Sequence, residues 1–351
     1  MDFIVKNKLD QIEHEEILNF LSTLNYYCIE QHPDWDYGTG ISRIFFLGID
    51  DNKKVHCYAN VLVSTGFFRT ANINFGPAFK SFEVLFSSIQ FLLDYFKSQG
   101  YIYFSVQLGA YISSETELFE YRINRYFKAK YYFKPGNLWS SLQVDLTKSE
   151  DEILRSFSKG HKSTIKSAYS KAGLKTTILK DEKKLLGLID LYIKMNVSRR
   201  LSFKNSEVVH LFESTSDFII KYDKGFIEYI FEGDILVGGL IVIFQGTSAR
   251  YFKSVSDPER RDIPVMHLGL FEAIKYCKAK GFLTFDLWGY NHFADENDQV
   301  FYINRFKKGF SDNYTFYPKR MHFELKPLMY KTYLFLKFCQ KMINDFKMKI
   351  K

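Results

Sequence analysis

The chain repeats one weak pattern at a constant offset, and that repeat narrows its fold more than any single motif does. Ser88-Ile89-Gln90-Phe91-Leu92-Leu93-Asp94-Tyr95-Phe96-Lys97-Ser98-Gln99-Gly100 carries apolar residues at three- and four-residue spacing and ends on Gly, as an amphipathic helix does. It runs into Tyr101-Ile102-Tyr103-Phe104-Ser105-Val106, which reads as a strand. Adding 181 to residue 88 reaches residue 269, where Gly269-Leu270-Phe271-Glu272-Ala273-Ile274-Lys275-Tyr276-Cys277-Lys278-Ala279-Lys280-Gly281 leads into Phe282-Leu283-Thr284-Phe285-Asp286-Leu287. Two hairpin signals are related in the same way. Residues 44–49, the turn Asp50-Asp51-Asn52-Lys53 and residues 54–63 match residues 227–231, the turn Glu232-Gly233-Asp234 and residues 235–244. The chain therefore reads as two copies of one α/β module, each with a hairpin, a further strand, a helix and a strand.

Its 351 residues suit two such modules. The first is expected over 1–146 and the second over 147–325, with the boundary near Val144-Asp145-Leu146-Thr147. Ser149 with Glu152 three residues on resembles a capping box opening a helix at about 150–172, its apolar face formed by Leu154, Phe157, His161, Ile165 and Ala168. After Tyr317-Pro318 a last strand is expected at 321–325. The tail, 326–351, holds seven lysines and one acidic residue among Leu, Phe, Met and Ile, and reads as a basic amphipathic helix.

Composition excludes several classes. Apolar residues at 46 % and charged residues at 25 % are the balance of a packed globule, and 36 Phe with 24 Tyr supply bulk for its cores. No uncharged apolar run approaches the roughly 18 residues of a membrane span, and the N-terminus lacks the layout of a secretory signal, so a cytosolic protein is expected. Cys28, Cys57, Cys277 and Cys339 are scattered, which suggests neither a disulfide framework nor a metal site. No GxSxG, HExxH or GxxxxGK[ST] occurs, so covalent hydrolase chemistry has no support. The net charge of +8 leans mildly towards polyanionic partners, or serves only solubility.

Several constellations could carry chemistry. Arg155, Lys159, Lys162 and Lys166 fall at i, i+4, i+7 and i+11, which on one continuous helix share a face suited to a polyanion, or simply to water. Phe301-Tyr302-Ile303-Asn304-Arg305-Phe306-Lys307-Lys308-Gly309-Phe310 interleaves aromatics and cations. A lysine among aromatics could hold an oxyanion or phosphate in a partly dry site, or Phe could face inward and Lys outward as on a surface strand. Asp286-Leu287-Trp288-Gly289-Tyr290-Asn291-His292 follows a core strand, where α/β folds tend to place sites. Arg199-Arg200 follows a helix expected at 185–195 and could grip phosphate or cap the helix end.

These residues resemble the FemAB/FemX-type aminoacyltransferases, cell-wall bridge enzymes built of two GNAT-like modules in tandem. Gln31-His32-Pro33-Asp34-Trp35 resembles the family's early Gln-x-Pro-x-Trp, and Phe75-Gly76-Pro77 its Gly-Pro turn. Val144-Asp145-Leu146-Thr147, then Phe157-Ser158 and Lys166-Ser167-Ala168, look like its entry to the second module. Lys278-Ala279-Lys280-Gly281-Phe282 and Phe285-Asp286-Leu287-Trp288-Gly289 look like its helix–strand signature. Arg305-Phe306-Lys307-Lys308-Gly309-Phe310 matches Phe-Lys-x-Gly-Phe, and Lys326-Pro327-Leu328-Met329-Tyr330 the Asn/Lys-Pro-x-x-Tyr that follows.

The resemblance implies an α/β, α+β layered fold of two tandem GNAT-like modules with mixed central sheets, here without a long coiled-coil arm. It implies transfer of an aminoacyl group from its tRNA ester to an amine of a UDP- or lipid-linked peptidoglycan precursor or a surface glycan, with no cofactor and no metal. Lys307 would be the catalytic residue, with Phe306, Arg199, Arg200, Asp286 and Trp35 binding substrate and Arg155, Lys159, Lys162 and Lys166 binding tRNA. The family's lysine soon after the early Trp is missing, since Asp36-Tyr37-Gly38-Thr39-Gly40 follows Trp35. A monomer is expected.

Two other classes remain open. An acyl-CoA-dependent N-acyltransferase acting on an amino sugar would need a glycine-rich loop before a helix, whereas Arg260-Arg261-Asp262-Ile263-Pro264-Val265 has no glycine and Pro264 removes a donor. A non-catalytic RNA or membrane-surface binder would use the basic tail, which could instead pack one face on the second module.

Overall fold

The computed structural model describes residues 1–38, 40–109, 113–130, 140–170, 173–178, 182–201 and 203–350, apart from the side chains of 182, 183, 299, 341 and 344–350. In chain order the elements are β1 (Asp2–Lys6), α1 (Gln11–Ser22), β2 (Ser42–Ile49), β3 (Val55–Val63), β4 (Thr70–Ile73), β5 (Ala78–Phe79), α2 (Phe82–Ser98), β6 (Tyr103–Val106) and α3 (Ser114–Phe127). Then come β7 (Ser140–Asp145), α4 (Glu150–Ser156), α5 (Lys159–Ser170), β8 (Leu174–Ile178), α6 (Glu182–Ser198), α7 (Asn205–Tyr222), β9 (Gly225–Glu232), β10 (Ile235–Gln245) and β11 (Ser248–Ser256). α8 (Val265–Ala279), β12 (Thr284–Asp286), α9 (Gln299–Lys308), β13 (Tyr314–Phe316), β14 (Met321–Glu324) and α10 (Pro327–Ile350) complete it.

Contacts divide the chain into two units, each with one mixed sheet. In the first unit the sheet runs β1-β2-β3-β4-β6-β14, with β5 against β3, and β4 lies parallel to β6. Alternation along β2 sends Phe46 to one face and Phe45 and Leu47 to the other. The first face is covered by α2, whose Leu85, Ile89, Leu92 and Phe96 recur at helical spacing and are all fully buried. Ile17, Phe20 and Leu21 of α1 fill the other face.

The second sheet runs β13-β7-β12-β11-β10-β9-β8, with β11 parallel to β12. Its core joins Leu142 and Val144 of β7, Phe157, Ile165 of α5, Leu270 and Ile274 of α8, and Phe310 beyond α9. The repeat seen in the sequence is real in three dimensions: α2 and α8 each pack on their sheet and precede the strands β6 and β12.

The unit limits differ from the expected cuts at 146 and 325. The first unit comprises Met1–Pro33, Gly40–Asn137 and Tyr317–Lys351, and the second Asp34–Thr39 and Leu138–Phe316. The reason is strand pairing. β7 hydrogen-bonds to β12 and β13 and so belongs to the second sheet, whereas β14 pairs with β6 in the first. α10 likewise belongs to the first unit, on which it packs through Tyr330 against Ile102 and Tyr103.

The helix expected over 150–172 is broken. Phe157 leaves α4 in extended geometry, ψ 154°, to bury its ring against Phe271 and Phe310. Ser158 then restarts the helix: its Oγ accepts the His161 N–H at 3.3 Å and its own N–H donates to Gly309 O at 2.9 Å. Arg155 on α4 therefore does not share a helical face with Lys159, Lys162 and Lys166 on α5. Residues 301–308 are helical, within α9, and 309 and 310 form the turn after it, so the stretch is no surface strand. α7 is an element that the sequence pattern does not announce; it packs on α6, and these helices of 17 and 18 residues form no long coiled-coil arm.

Candidate active site

Gly309 follows α9 as a helix-ending residue, and the three-residue spacing of Asn304, Lys307 and Phe310 turns all three inward while Arg305 and Lys308 face out. Lys307 is 8 % exposed. Its Nζ donates to the Trp288 carbonyl and, at 3.0 Å, to the Gly289 carbonyl. Asn304 fixes the loop above by accepting the Asn291 N–H at 3.2 Å and donating to its carbonyl at 2.6 Å. Gly309 admits His161 so closely that a Cβ there would lie 2.0 Å from the imidazole.

The carbonyls that hold Lys307 are themselves held. Asp286, fully buried at the end of β12, accepts the Ser141 hydroxyl and, at 2.7 Å, the Trp288 N–H. The β11–β12 register sets Arg250 beside Asp286, and the fully buried Arg250 guanidinium lies 3.5 Å over the centre of the Trp288 ring. These contacts keep Trp288 in the left-handed region, φ 47°, a conformation that costs a bulky residue on the order of 1 kcal/mol. Burial lowers the Lys307 ammonium to about 8, and the Asp286 charge pulls partly the other way. Burial raises the Asp286 carboxyl, opposed chiefly by Arg250.

Lys307 lines an open cavity of 1070 Å³ together with Phe306, Arg199, Lys253, Arg261 and His267. Arg260 in the same wall is neutralised by Glu232 at 2.7 Å. Among the described residues Arg199, Lys253 and Arg261 have no carboxylate within ion-pair distance, so the wall attracts anions. Burial raises the Tyr251 phenol to about 12, with the Arg199 charge opposing it. Burial also lowers His267 to about 4, helped by His161, whose ring centre is 4.6 Å away, so His267 faces the cavity as a neutral imidazole. The arrangement offers a dry cation at the floor and further cations at the rim.

No protein-family profile and no curated protein matches the sequence. Solved structures do. The chain superposes on FemX with a TM-score of 0.78 at 14 % identity, covering 95 % of this chain and 99 % of that one. The fold is that of FemX. A tandem GNAT protein from the clavulanic acid biosynthesis pathway matches at TM-score 0.55 and 10 % identity over 92 % of this chain and 98 % of its own. L-PGS from Bacillus licheniformis matches at 0.58 and 10 % over 91 % and 93 %. The chain thus has the tandem GNAT-like architecture of FemX.

Within that FemX fold the residues singled out from sequence divide sharply. Phe306 and Lys307 meet Arg199, from a distant part of the sequence, in one cavity. Arg200 does not line it; it sits past α6 at φ 54°, its N–H donating to Val197 O. Asp286 is fully buried and acts on Lys307 through the Trp288 backbone and through its charge, which is positioning and not substrate contact. Trp35 is 6 % exposed, wedged edge-on against Phe218 and Phe252 at 5.2 and 5.6 Å, so it anchors its own segment instead of lining the cavity. Lys159 and Lys166 are exposed on α5, while Lys162 donates to Arg155 O at 3.0 Å and closes the end of α4. Arg155 is paired with Asp151 at 3.9 Å.

Sequence reasoning missed Arg250 and Lys253, and it gave no role of their own to Asn304 and the strained Trp288 within the stretches it singled out. Arg250 stands in a β-strand with no charged neighbour in sequence to flag it, but it is the residue that a parallel register sets beside Asp286. The first unit shows the contrast: there Asn72 and Ser105 occupy the same parallel register that Arg250 and Asp286 occupy in the second. In the first unit the paired strand residues are uncharged, and the nearby cation, Arg320, comes from outside these strands and donates to Ser105 Oγ at 3.1 Å.

The stretch before α8 fits coenzyme A poorly. Pro264 is the N-cap and offers no N–H, the Val265 N–H donates to Ile263 O at 3.0 Å, and the His267 N–H to Pro264 O at 3.1 Å. Two of the backbone donors that a pyrophosphate would need at this helix start are thus already used within the chain.

Proposed function

We propose that the protein is an aminoacyl-tRNA-dependent aminoacyltransferase that forms an amide on an amino group of a cell-envelope precursor, a peptidoglycan stem or a surface glycan carried on UDP or lipid. The observation that carries this reading is the buried Lys307, at the floor of a cavity with a cationic rim, in a chain folded like FemX. The ester of an aminoacyl-tRNA is already activated, so the enzyme's task is proximity and charge stabilisation. The acceptor amine adds to the ester carbonyl, a C–N bond forms, and the C–O bond to the ribose then breaks. One proton leaves the amine and one reaches the ribose oxygen, so the transfer balances without an oxidant or reductant.

Lys307 acts on the charge that develops between those events. Its ammonium stabilises the oxyanion, and with its pKa lowered to about 8 it can also pass a proton to the departing oxygen. Phe306 shields that cation from water, and Arg199 with Lys253 and Arg261 holds phosphate at the rim. Lys159 and Lys166 add a sequence-independent grip on the tRNA backbone.

The test offers charged total tRNA carrying radiolabelled amino acids to a cell-envelope precursor extract, beside a parallel reaction with labelled acetyl-CoA. RNase-sensitive labelling of the precursor is expected. Labelling from the CoA thioester alone would overturn the tRNA donor and leave amino-sugar acylation in its place.

A further inference from the structure

We propose that α10 docks the protein on an anionic bilayer surface through its outward apolar stripe. Among the described residues the helix binds its own unit through one side of its first turns: Tyr330 stacks on Tyr103 at 4.5 Å, and Tyr333 packs on Phe68 at 5.5 Å. At about 100° per residue, Leu328, Phe335, Cys339 and Met342 fall within roughly 60° of one another on the opposite side. Phe335 and Met342 of this stripe are 65 and 57 % exposed and Phe338 and Ile343, which flank it, 61 and 55 %, so this side faces away from the core of its unit. Apolar side chains scattered singly over a surface need no explanation, whereas a continuous stripe on one helix does.

Charge selects the occupant. α10 contains five lysines against the single acid Asp345, with Lys326 before it and Lys351 after. Two such helices would repel, which disfavours a second copy of the chain; an anionic lipid surface would be attracted by the same charge. Lys331 is exposed at the margin of the stripe, where its aliphatic stem lies along acyl chains while its ammonium reaches phosphates; Lys337, also exposed, falls on the other side with its Nζ 5.7 Å over the Tyr333 ring and adds only to the attracting charge. Phe67, 82 % exposed, stands beside this region, its ring edge-on to Phe68 at 4.9 Å. Among the described residues no helix is long and apolar enough to cross a membrane, so α10 would lie in the plane of the interface.

The experiment is flotation of the full-length protein with vesicles of phosphatidylglycerol and phosphatidylcholine, and with phosphatidylcholine alone, at low and high salt. Binding to the anionic vesicles, weakened by salt, is the expected result. Phe335→Asp with Phe338→Asp alters only exposed side chains, so the thermal transition stays in place while partitioning falls by roughly tenfold or more. Lys331→Gln with Lys337→Gln weakens binding and flattens its salt dependence. Absence of flotation, or flotation unchanged by either double variant, would overturn the proposal. So would a dimer in sedimentation that Phe335→Asp with Phe338→Asp converts to monomer without any vesicle binding, since a second copy would then cover the stripe. The assay contains neither tRNA nor acceptor, so its failure leaves the aminoacyl-transfer reading standing, and failure of that reading leaves the docking result intact.

Discussion

Lys307 is held in a state that its surroundings oppose. A buried ammonium prefers to lose its proton, and the two carbonyls of Trp288 and Gly289 with the Asp286 charge behind them prefer to keep it. Its folded pKa of about 8 lies below the ordinary 10.5, so between those values the unfolded chain binds the proton and the native chain does not. Stability therefore rises with pH across that window, and below it the protein bears the full cost of a buried cation. Activity runs the other way, because the oxyanion needs the charged form. We expect kcat/KM to fall as pH rises through about 8. Lys307→Met should lose about 10²–10³ in kcat while the fold is kept. A pH–rate profile that stays level through that range, or a Met variant with full turnover, would remove the lysine from the chemistry. The sequence put Lys307 among aromatics but left inward and outward orientations open, because the choice depends on helical phase. The Gly309 that ends α9 was the available sign of a helix. What could not be read was the support: Arg250, Asp286 and Trp288 come together through a parallel strand register, which no local spacing encodes.

At the scale of the element, α4 and α5 show how one buried aromatic changes the meaning of a charge pattern. Arg155, Lys159, Lys162 and Lys166 have ideal spacing on an uninterrupted helix, yet Phe157 turns into the core and Ser158 begins a new one. The cations consequently take different parts. Lys162 closes the carbonyl end of α4, at 3.0 Å from Arg155 O, whereas Lys159 and Lys166 stand free in solvent. Lys159→Ala with Lys166→Ala should weaken tRNA binding and reduce the slope of log affinity against log salt by about one for each phosphate no longer neutralised, with the melting temperature unchanged. Lys162→Ala should instead lower stability by about 0.5–1 kcal/mol, the scale of one hydrogen bond at a helix end, and leave the salt slope nearly as it was. Filter binding across a salt series, paired with thermal melts, separates these outcomes; equal losses of affinity in both variants would restore the single polyanion face. The capping box at Ser149 and Glu152 was legible and is formed, each partner bonding the other's backbone. The break was harder to see, since Phe157 suited the apolar face of a continuous helix equally well.

For the whole molecule, the repeat decides the architecture and strand pairing decides where each copy ends. A boundary drawn at Val144-Asp145-Leu146-Thr147 follows the order of signals along the chain, and it cuts after β7 because a strand next to a capping box looks like the end of the first module. Hydrogen bonding overrules that order. β13 has β7 as its strand partner, and β12 is bounded by β7 on one side, so the second sheet cannot be completed without residues 140–145. The first sheet in turn ends on β14, which arrives after the entire second unit has been made. A fragment spanning 147–325 would leave β13 without a partner, expose the edge of β12 and carry β14 as an unmatched strand, all invitations to aggregation. A fragment spanning 138–316 keeps the seven-stranded sheet and lacks only the segment 34–39, whose Trp35 fills a site between Phe218 and Phe252. We expect 138–316 to be soluble with one cooperative thermal transition, at a temperature lowered by the absence of the Trp35 ring, and 147–325 to be insoluble or to melt without cooperativity. Soluble expression and circular dichroism melts of the two fragments measure this directly. Equal cooperativity in both would mean that β7 is dispensable, and the boundary would return to where the linear order of the sequence put it.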